Sequence, residues 1–261
     1  MKCSFLILIL FSSISEADVT SAITSIEFFN SSCTGFLLDV GETITDNSHP
    51  YVMTNGHCSK DPKKILELRG EPDDIEVTFY KPGGEMLAKP AVVEFYTQTG
   101  LDMAILRIDG ISTKELSKQG ISGLKLSGKK PQIGEAITRL TRLGKYKPIE
   151  ITSCELKFQT DLLENGMLTF GSYRTSCSGQ PGNSGSPFLS SISGAVVALD
   201  NTGDDDTGVM CSRNNPCEIG PDGHRARFPK AEYGQRVTDA AHCFDKQGAF
   251  NLHLPQCKLH Q

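Results

Sequence analysis

Short apolar or alternating runs, separated by Gly, Pro, Asn and Asp, constrain the fold of this chain more than any other feature. Many short strands at such spacing are typical of a β-sandwich or a β-barrel. Helical and strand patterns do not alternate regularly along the chain, which argues against a doubly wound parallel sheet. The clearest runs are residues 75–80, 91–96, 103–108, 136–143 and 195–199.

The first seventeen residues have the pattern of a secretory signal peptide. Met1-Lys2 is a basic start, residues 5–11 are apolar without interruption, and Ser15-Glu16-Ala17 is a small-x-small ending. The apolar run is too short to span a bilayer, so we expect cleavage near Ala17. The alternative is an uncleaved N-terminal anchor. We expect a secreted mature chain, extracellular or periplasmic, that does not bind membranes after cleavage.

The composition is that of an ordinary globular protein, with 22% charged and 38% hydrophobic residues among 261. A net charge of −5 argues against a broad nucleic-acid-binding surface. Tryptophan is absent and aromatic residues make up only 7%, which argues against a platform for stacking bases. We therefore expect no nucleic acid among the partners of this chain.

Cysteines are frequent, and loss of the signal peptide would remove Cys3 and leave eight of the nine. An even number in an exported chain indicates disulfides. A zinc site is the alternative, because Cys211, Cys217 and His224 lie close in sequence, but their spacing matches no common zinc pattern. We therefore predict no metal and no cofactor. The predicted disulfide cysteines are Cys33, Cys58, Cys154, Cys177, Cys211, Cys217, Cys243 and Cys257.

Residues 178–187 are small and turn-forming, and they suit an active-site loop. Gly182 and Gly185 permit backbone angles that are closed to other residues, so successive N–H groups can point toward one place. If Ser184 is a nucleophile, the N–H groups of Gly182 and Ser184 would form an oxyanion hole. The alternative is a polar surface loop between two strands.

A serine nucleophile needs a base, and a histidine held by a carboxylate is the usual one. His57 follows an apolar strand and a small turn, and Asp102 opens the strongly apolar run 103–108. A poorly solvated carboxylate needs a partner, and His57 would be one. Taken singly, His57 could be a half-buried turn residue and Asp102 a strand cap. Together with Ser184 they follow the chymotrypsin order, which differs from the subtilisin and α/β-hydrolase orders.

These segments resemble the motifs of the chymotrypsin-like (trypsin-like) serine proteases. Thr54-Asn55-Gly56-His57-Cys58 is similar to the T-A-A/G-H-C box, and Asp102-Met103-Ala104-Ile105-Leu106 to the D-I-A-L-L box. Gly182-Asn183-Ser184-Gly185-Ser186-Pro187 is similar to the G-D-S-G-G-P box and resembles its bacterial form more than the animal digestive one. The resemblance runs from about residue 25 to residue 203, most of the mature chain.

The resemblance implies an all-β fold of two six-stranded antiparallel β-barrels, with the active site in the cleft between them. His57 and Asp102 would come from the first barrel and Ser184 from the second. Apolar residues at helical spacing between about residues 231 and 248, among them Val237 and Phe244, separately predict a C-terminal helix followed by a tail. The predicted segments are 1–17 for the signal peptide, 18–115 for the first barrel, 116–130 for the connection, and 131–261 for the second barrel with the helix and tail.

The resemblance also pairs Cys33 with Cys58, because a family cysteine bridges to the one after the histidine. Six cysteines and 15 possible pairings then remain. Cys154–Cys177 is the next expected pair, since it would tie a strand to the start of the serine loop. Proximity in sequence favours the last two pairs, which are Cys211–Cys217 and Cys243–Cys257.

Asn183 departs from the family pattern. In the animal digestive branch an aspartate stands there and pairs with the N-terminal ammonium that zymogen cleavage creates, and Asn cannot form that ion pair. No clear Arg/Lys-Ile-Val-Gly-Gly activation site lies near the mature start. We therefore expect the oxyanion loop to form without an N-terminal switch.

Two residues are predicted to bind substrate. Ser178 lies where trypsin has its pocket-floor aspartate, so the trypsin pocket is not simply copied. Asp200 lies near the position where glutamyl endopeptidases place a histidine for the substrate carboxylate. A carboxylate there should repel Glu and attract Lys or Arg, and the acidic residues 204–206 act in the same direction. The alternative is that Asp200 faces solvent.

The sequence therefore predicts a secreted, monomeric serine endopeptidase that cleaves protein or peptide substrates through an acyl-enzyme, with a weak preference for Lys or Arg. A catalytically silent binding protein on the same fold is the main alternative, although such proteins usually lack a triad member. An esterase with the same triad is chemically possible, but the order of the three residues and the lack of helical α/β patterning do not favour it.

Overall fold

The computed structural model describes residues 16–28, 31–41, 48–59, 66–68 and 75–259, so most of the predicted signal peptide lies outside the described residues. Within these ranges no helix is both long enough and apolar enough to cross a membrane. The helices are α1 (Glu16–Ser21) and α2 (Thr113–Lys118), and a 3₁₀ turn covers Gly56–Cys58. The strands are β1 (Ile23–Phe28), β2 (Ser31–Leu37), β3 (Tyr51–Thr54), β4 (Leu66–Leu68), β5 (Ile75–Tyr80), β6 (Met86–Thr97), β7 (Met103–Ile108), β8 (Ala136–Arg142), β9 (Ile149–Glu164), β10 (Met167–Thr175), β11 (Pro187–Ser190), β12 (Val196–Gly203), β13 (Cys217–Ile219), β14 (Arg225–Ala226) and β15 (Glu232–Arg236).

Six strands of the N-terminal half close into an antiparallel barrel. The strands pair in the order β6-β5-β1-β2-β3-β7, and a further pairing of β7 with β6 completes the ring. β4 pairs with β6 outside this ring. Alternate side chains of a strand share one face, so residues such as Val77, Phe79, Val93 and Leu106 are buried together in one cluster.

The C-terminal half forms a second ring of six strands. The pairings run β10-β15-β12-β11-β8-β9, and β9 pairs again with β10 to close the ring. β13 and β14 extend the sheet from β9. Tyr173, Phe188 and Ala198 belong to the buried cluster of this half. The predicted all-β fold with two six-stranded antiparallel barrels is confirmed.

The predicted strands and the observed strands agree best where apolar residues are continuous. Residues 75–80 and 103–108 are β5 and β7, and residues 91–96 lie within β6. The long hairpin of β9 and β10 was not predicted, because much of β9 is exposed and carries polar residues. Asn165 and Gly166 form its tip with φ of 49° and 80°, which is the backbone that a tight hairpin turn requires.

The stretch between the two barrels contacts both of them. Ser112 caps α2 by accepting the Glu115 N–H at 3.2 Å, while the Glu115 carboxylate accepts the Ser112 N–H at 2.8 Å. Leu124 then forms a bridge with Leu38 of the first half, and Leu126 forms one with Val196 of the second half. The extended backbone after α2 therefore joins the two halves.

The predicted C-terminal helix is wrong. Glu232–Arg236 is strand β15, because its backbone fills the place between β10 and β12 in the second ring. Val237 and Ala240 are buried in the cluster that lies between the two barrels, but turns bring them there. The Ala240 N–H donates to the Val237 carbonyl and the Cys243 N–H to the Ala240 carbonyl, each at 3.0 Å. Strand pairing in the second ring therefore determines the structure of residues 232–236, despite the helical spacing of the apolar residues.

All eight cysteines of the predicted mature chain form disulfides, in the four pairs that were expected: Cys33–Cys58, Cys154–Cys177, Cys211–Cys217 and Cys243–Cys257. Cys211 and Cys217, the alternative zinc ligands, are bonded to each other. Four disulfides are compatible with an oxidising, extracytoplasmic compartment.

Candidate active site

His57 and Asp102 are brought together by the pairing of β3 with β7, in which Thr54 lies opposite Ala104. His57 stands in the 3₁₀ turn after β3, and Asp102 directly precedes β7. The distance from His57 Nδ1 to Asp102 Oδ2 is 2.6 Å, and the backbone N–H of His57 donates to Oδ1 at 3.0 Å. One carboxylate therefore fixes both the ring and the backbone of the histidine.

The neighbours of Asp102 hold it in a buried position, where it is 8% exposed. The side-chain amide of Asn55 donates to the Asp102 carbonyl at 3.0 Å. A Cβ at Gly56 would overlap the carbonyl oxygen of Thr97, so only glycine lets the histidine turn approach β6 this closely. The sequence Asn55-Gly56-His57 therefore allows the close contact between His57 and Asp102.

The pKa of His57 is raised above its ordinary value of 6.5. Burial lowers this pKa, but the charge of Asp102 and its hydrogen bond to the ring raise it and together prevail. The carboxylate of Glu164 adds a smaller effect in the same direction. The histidine side chain keeps 38% of its surface exposed, so its ring is accessible while Asp102 is enclosed.

The loop of Ser184 is tied to both halves of the molecule. The Ser184 carbonyl accepts the N–H of Thr34 on β2 at 2.9 Å, and the Gly185 N–H donates to the Asp200 carbonyl on β12 at 2.8 Å. Gly185 has φ of +83°, and a Cβ there would overlap the carbonyl oxygen of Thr34. Thr34 follows Cys33, whose disulfide partner is the residue after His57. Backbone bonds and a disulfide thus connect the serine segment with the histidine segment.

Two backbone N–H groups of this loop are available for a ligand. Among the described residues, neither the Gly182 N–H nor the Ser184 N–H donates to a protein acceptor, whereas the Asn183 N–H between them donates to the Gln180 carbonyl at 3.1 Å. Gly182 has φ of +96°, which favours glycine. The Ser184 hydroxyl makes only a long contact, 3.4 Å, to the Asn201 carbonyl. This arrangement suits the predicted oxyanion hole.

Arg139 of β8 is a buried side chain that links three segments around the serine loop. Its guanidinium donates to Asp200 Oδ2 at 2.8 Å and to the Ser178 carbonyl at 2.9 Å. The amide oxygen of Asn183, in the orientation that satisfies its neighbours, also lies 2.9 Å from Arg139 Nη1. An internal arginine therefore lies against the side chain of Asn183.

The two predicted substrate-binding residues have different environments. Ser178 is exposed at the start of the serine loop. Asp200 is 2% exposed and faces Arg139, which compensates its negative charge. Burial raises the pKa of Asp200 to about 6, and Arg139 opposes this increase. The assignment of both residues to substrate binding stays a prediction, but the charge of Asp200 is already paired inside the protein.

The acidic residues 204–206 are also partly neutralised. Arg227 donates to Asp204 at 2.8 Å and to Asp206 at 3.3 Å. The sequence predicts that these residues help to attract a basic substrate, but in the structure Arg227 already provides them with an internal cation.

Replacing Arg139 with methionine is expected to lower the free energy of unfolding by about 3–5 kcal/mol, because the buried Asp200 carboxylate would lose its partner. Urea denaturation measures the loss. Adding Asp200→Asn to Arg139→Met should restore part of the stability, because it removes the uncompensated charge. Arg225→Met, on an exposed arginine, is the control. Equal stability of Arg139→Met and Arg225→Met would contradict a role for Arg139 in holding the loop.

Sequence reasoning missed three residues near this site, Arg139, Glu164 and Glu232. Arg139 lies within the predicted strand 136–143, where a charged residue in an apolar run was the available signal. Glu164 lies at the end of the unpredicted β9, and Glu232 lies within the segment predicted as a helix. Only the long-range strand pairing brings Glu164 toward His57 and Glu232 toward Gly179 of the serine loop.

Two closed six-stranded barrels, with a histidine–aspartate pair on the first and a glycine-framed serine on the second, define a protease of the chymotrypsin-like class. Residues 33–199 match the family model of the trypsin-like peptidase domain. This match covers well over half of the chain, and the chain belongs to the trypsin-like peptidase family. Membership makes it a hydrolase of the serine endopeptidase type. No curated protein sequence matches the chain.

Solved structures share the fold at low sequence identity. The active form of the Rv3671c protease from M. tuberculosis superposes with a TM-score of 0.57 at 15% identity, over 90% of this chain and 84% of that one. The MamO protease domain from Magnetospirillum magneticum gives a TM-score of 0.54 at 16% identity, over 87% and 98% of the two chains.

Proposed function

We propose that this protein is a secreted serine endopeptidase with Ser184 as the nucleophile, His57 as the general base and Asp102 as the residue that orients His57. The observation that carries this proposal is the double contact of Asp102 with His57, at 2.6 Å to the ring and 3.0 Å to the backbone N–H. A carboxylate bound to Nδ1 leaves Nε2 unprotonated and able to accept a proton.

The reaction follows from these groups. The Ser184 Oγ attacks the carbonyl carbon of the scissile peptide bond while His57 Nε2 takes the hydroxyl proton. The N–H groups of Gly182 and Ser184 donate to the developing oxyanion. His57 then returns the proton to the leaving amine, which leaves an acyl-enzyme. A water molecule, deprotonated by His57, hydrolyses that ester and regenerates Ser184.

Secretion is supported by the signal-like N-terminus and by the four disulfides. The proposed substrates are proteins or peptides, cleaved by a monomeric enzyme. A preference for Lys or Arg in the substrate remains part of the proposal. Because Arg139 compensates Asp200, this preference requires another carboxylate near the serine.

Cleavage of an unfolded protein by the purified chain tests this function. We would compare a form that begins at Asp18 with one that carries extra residues before Asp18, and identify new termini by mass spectrometry. Both forms should cleave, because Asn183 cannot form an ion pair with a freed N-terminal amine and its amide oxygen already lies beside Arg139. Cleavage only by the form that begins at Asp18 would overturn the proposed independence from an N-terminal switch. Absence of cleavage by both forms, with disulfides intact, would favour the silent binding protein.

The pH dependence of kcat/KM is expected to reflect the protonation of His57. The histidine must be neutral to accept the serine proton, so activity should fall as pH drops through its pKa. Asp102 raises that pKa above 6.5, so the midpoint of the acid limb should lie above the ordinary histidine value. A peptide with an uncharged residue at the cleavage site avoids titration of the substrate. A midpoint below 6.5 would contradict the coupling of His57 to Asp102.

A further inference from the structure

Glu232, the first residue of β15, places its carboxylate between two glycine backbones. Gly203 on β12 is its partner in the antiparallel register, and Gly179 lies in the serine loop. A Cβ added to either glycine would overlap the Glu232 carboxylate. Gly179 is exposed and Gly203 half-buried, so the crevice between them opens to solvent.

The walls of this crevice continue into the segments that hold the nucleophile. Gly203 follows Asn201 by two residues, and the Asn201 carbonyl accepts the Ser184 hydroxyl at 3.4 Å. Gly179 follows Ser178, whose carbonyl is held by Arg139 at 2.9 Å. Ser184 attacks the carbonyl carbon of one substrate residue. The side chain of that residue can therefore reach the Glu232 crevice.

Among the described residues Glu232 forms no ion pair, although the Gly179 N–H donates to its carboxylate and Arg139, which is paired with Asp200, stabilises its charge from farther away. Other carboxylates on or beside the same sheet do form ion pairs. Asp200 is paired with Arg139 at 2.8 Å, Asp204 with Arg227 at 2.8 Å, and Glu218 with Arg174 at 3.3 Å. A partly buried carboxylate that opens to solvent between glycines and lacks an ion-pair partner is suited to receive a cation from outside.

The charges that face Glu232 come from three parts of the second barrel. Asp200 lies on β12 and Asp204 directly follows that strand, Arg139 lies on β8, and the Gly179 N–H belongs to the serine loop. Burial raises the pKa of Glu232 to about 8, with a further increase from Asp200, while Arg139 and the Gly179 N–H act against it. In the free enzyme the carboxyl therefore holds its proton at neutral pH. A cation that enters favours release of that proton to solvent.

We propose that Glu232 selects lysine or arginine as the residue whose carbonyl Ser184 attacks, by pairing with the basic side chain in this crevice. The inference rests on the proposed endopeptidase function and assigns its selectivity to a residue that the sequence did not single out. A charge pair in a partly desolvated crevice is stronger than one in water, so removal of the charge should have a measurable effect.

Peptides that differ only at this residue provide the test. We would measure kcat/KM for peptides with Arg, Lys, Gln, Met or Glu there, using the wild-type chain and Glu232→Gln, which keeps the shape and removes the charge. The preference for Arg over Gln should fall by about a hundred-fold in Glu232→Gln. Glu85→Gln, an exposed carboxylate in the first barrel, should leave the preference unchanged.

The pH dependence separates a charge effect from a change of shape. The ratio of kcat/KM for the Arg peptide to that for the Met peptide cancels the titration of His57. In the wild-type chain this ratio should rise as pH increases through about 8, because Glu232 becomes ionised. In Glu232→Gln the ratio should stay flat.

Labelling of Ser184 by a fluorophosphonate in each variant distinguishes the two possible failures. If the variants are labelled but Glu232→Gln keeps the wild-type preference, or if the wild-type chain prefers Glu, the assignment of Glu232 is overturned while the endopeptidase function stands. If no variant is labelled and none cleaves, the proposed function is overturned, and the selectivity assigned to Glu232 with it.

Discussion

Replacing Ser184 with alanine is expected to lower kcat by about a million-fold. The substitution removes the atom that forms the acyl-enzyme, and no other hydroxyl can take its place without rebuilding the loop. The loop itself should persist, because its ties are backbone bonds, from Thr34 to the Ser184 carbonyl and from Gly185 to the Asp200 carbonyl. The hydroxyl contributes only the 3.4 Å contact to Asn201, so we expect the melting temperature to change little.

Ser191→Ala is the matched control for this prediction, because Ser191 is an exposed serine in the turn after β11. It should retain wild-type kcat in the same peptide assay. If Ser184→Ala kept more than a small fraction of the wild-type rate while remaining folded, another residue would have to be the nucleophile.

Replacing Asp102 with asparagine is expected to reduce kcat by about 10⁴-fold. Asparagine fits the same space and can still accept the His57 backbone N–H through its oxygen. Its NH₂ group then faces His57 Nδ1 and donates to it, which moves the ring proton to Nε2. A histidine protonated at Nε2 cannot take the proton of Ser184. The loss should therefore appear in kcat with a folded protein, as circular dichroism and thermal denaturation would show.

The Asp102→Asn substitution is also expected to change the pH dependence of activity. The charge and hydrogen bond of Asp102 are what raise the pKa of His57, so the acid limb of the residual activity should move to lower pH. Asp222→Asn, on an exposed aspartate, should change neither kcat nor the pH at the midpoint of the acid limb. A variant at position 102 that kept the wild-type rate would contradict the role of this carboxylate.

The strands that fill the first barrel could be predicted because burial on one or both faces leaves a clear pattern, as in residues 75–80 and 103–108. The β9–β10 hairpin was missed, because few residues of β9 are buried and its apolar alternation is interrupted at Thr152 and Ser153. The segment after residue 231 was misread for a different reason. Val237 and Ala240 do share a buried environment, but turns and the pairing of β15 place them there, and spacing alone does not distinguish turns from a helix.

The residues of the proposed catalytic site were accessible from sequence because each lies in a short local motif. The order of His57, Asp102 and Ser184 and the resemblance of their motifs did not depend on knowing distant contacts. Arg139, Asp200 and Glu232 are different, since they come from three strands of the second ring, β8, β12 and β15, and only the closing of that ring determines their environments. A sequence shows that Asp200 and Arg139 are charged, but only the structure shows that these two form an ion pair and that Glu232, among the described residues, forms none.

The most direct test of the central claim is the site of modification by a fluorophosphonate, determined by mass spectrometry on the native, disulfide-bonded chain. The reagent reacts with a serine only where a neighbouring base and an oxyanion hole activate it. We predict a single modified residue, Ser184, with labelling lost in Ser184→Ala and strongly slowed in Asp102→Asn. Labelling that persists in Ser184→Ala, or a folded wild-type chain that is not labelled at all, would contradict the assignment of this site as a serine protease centre.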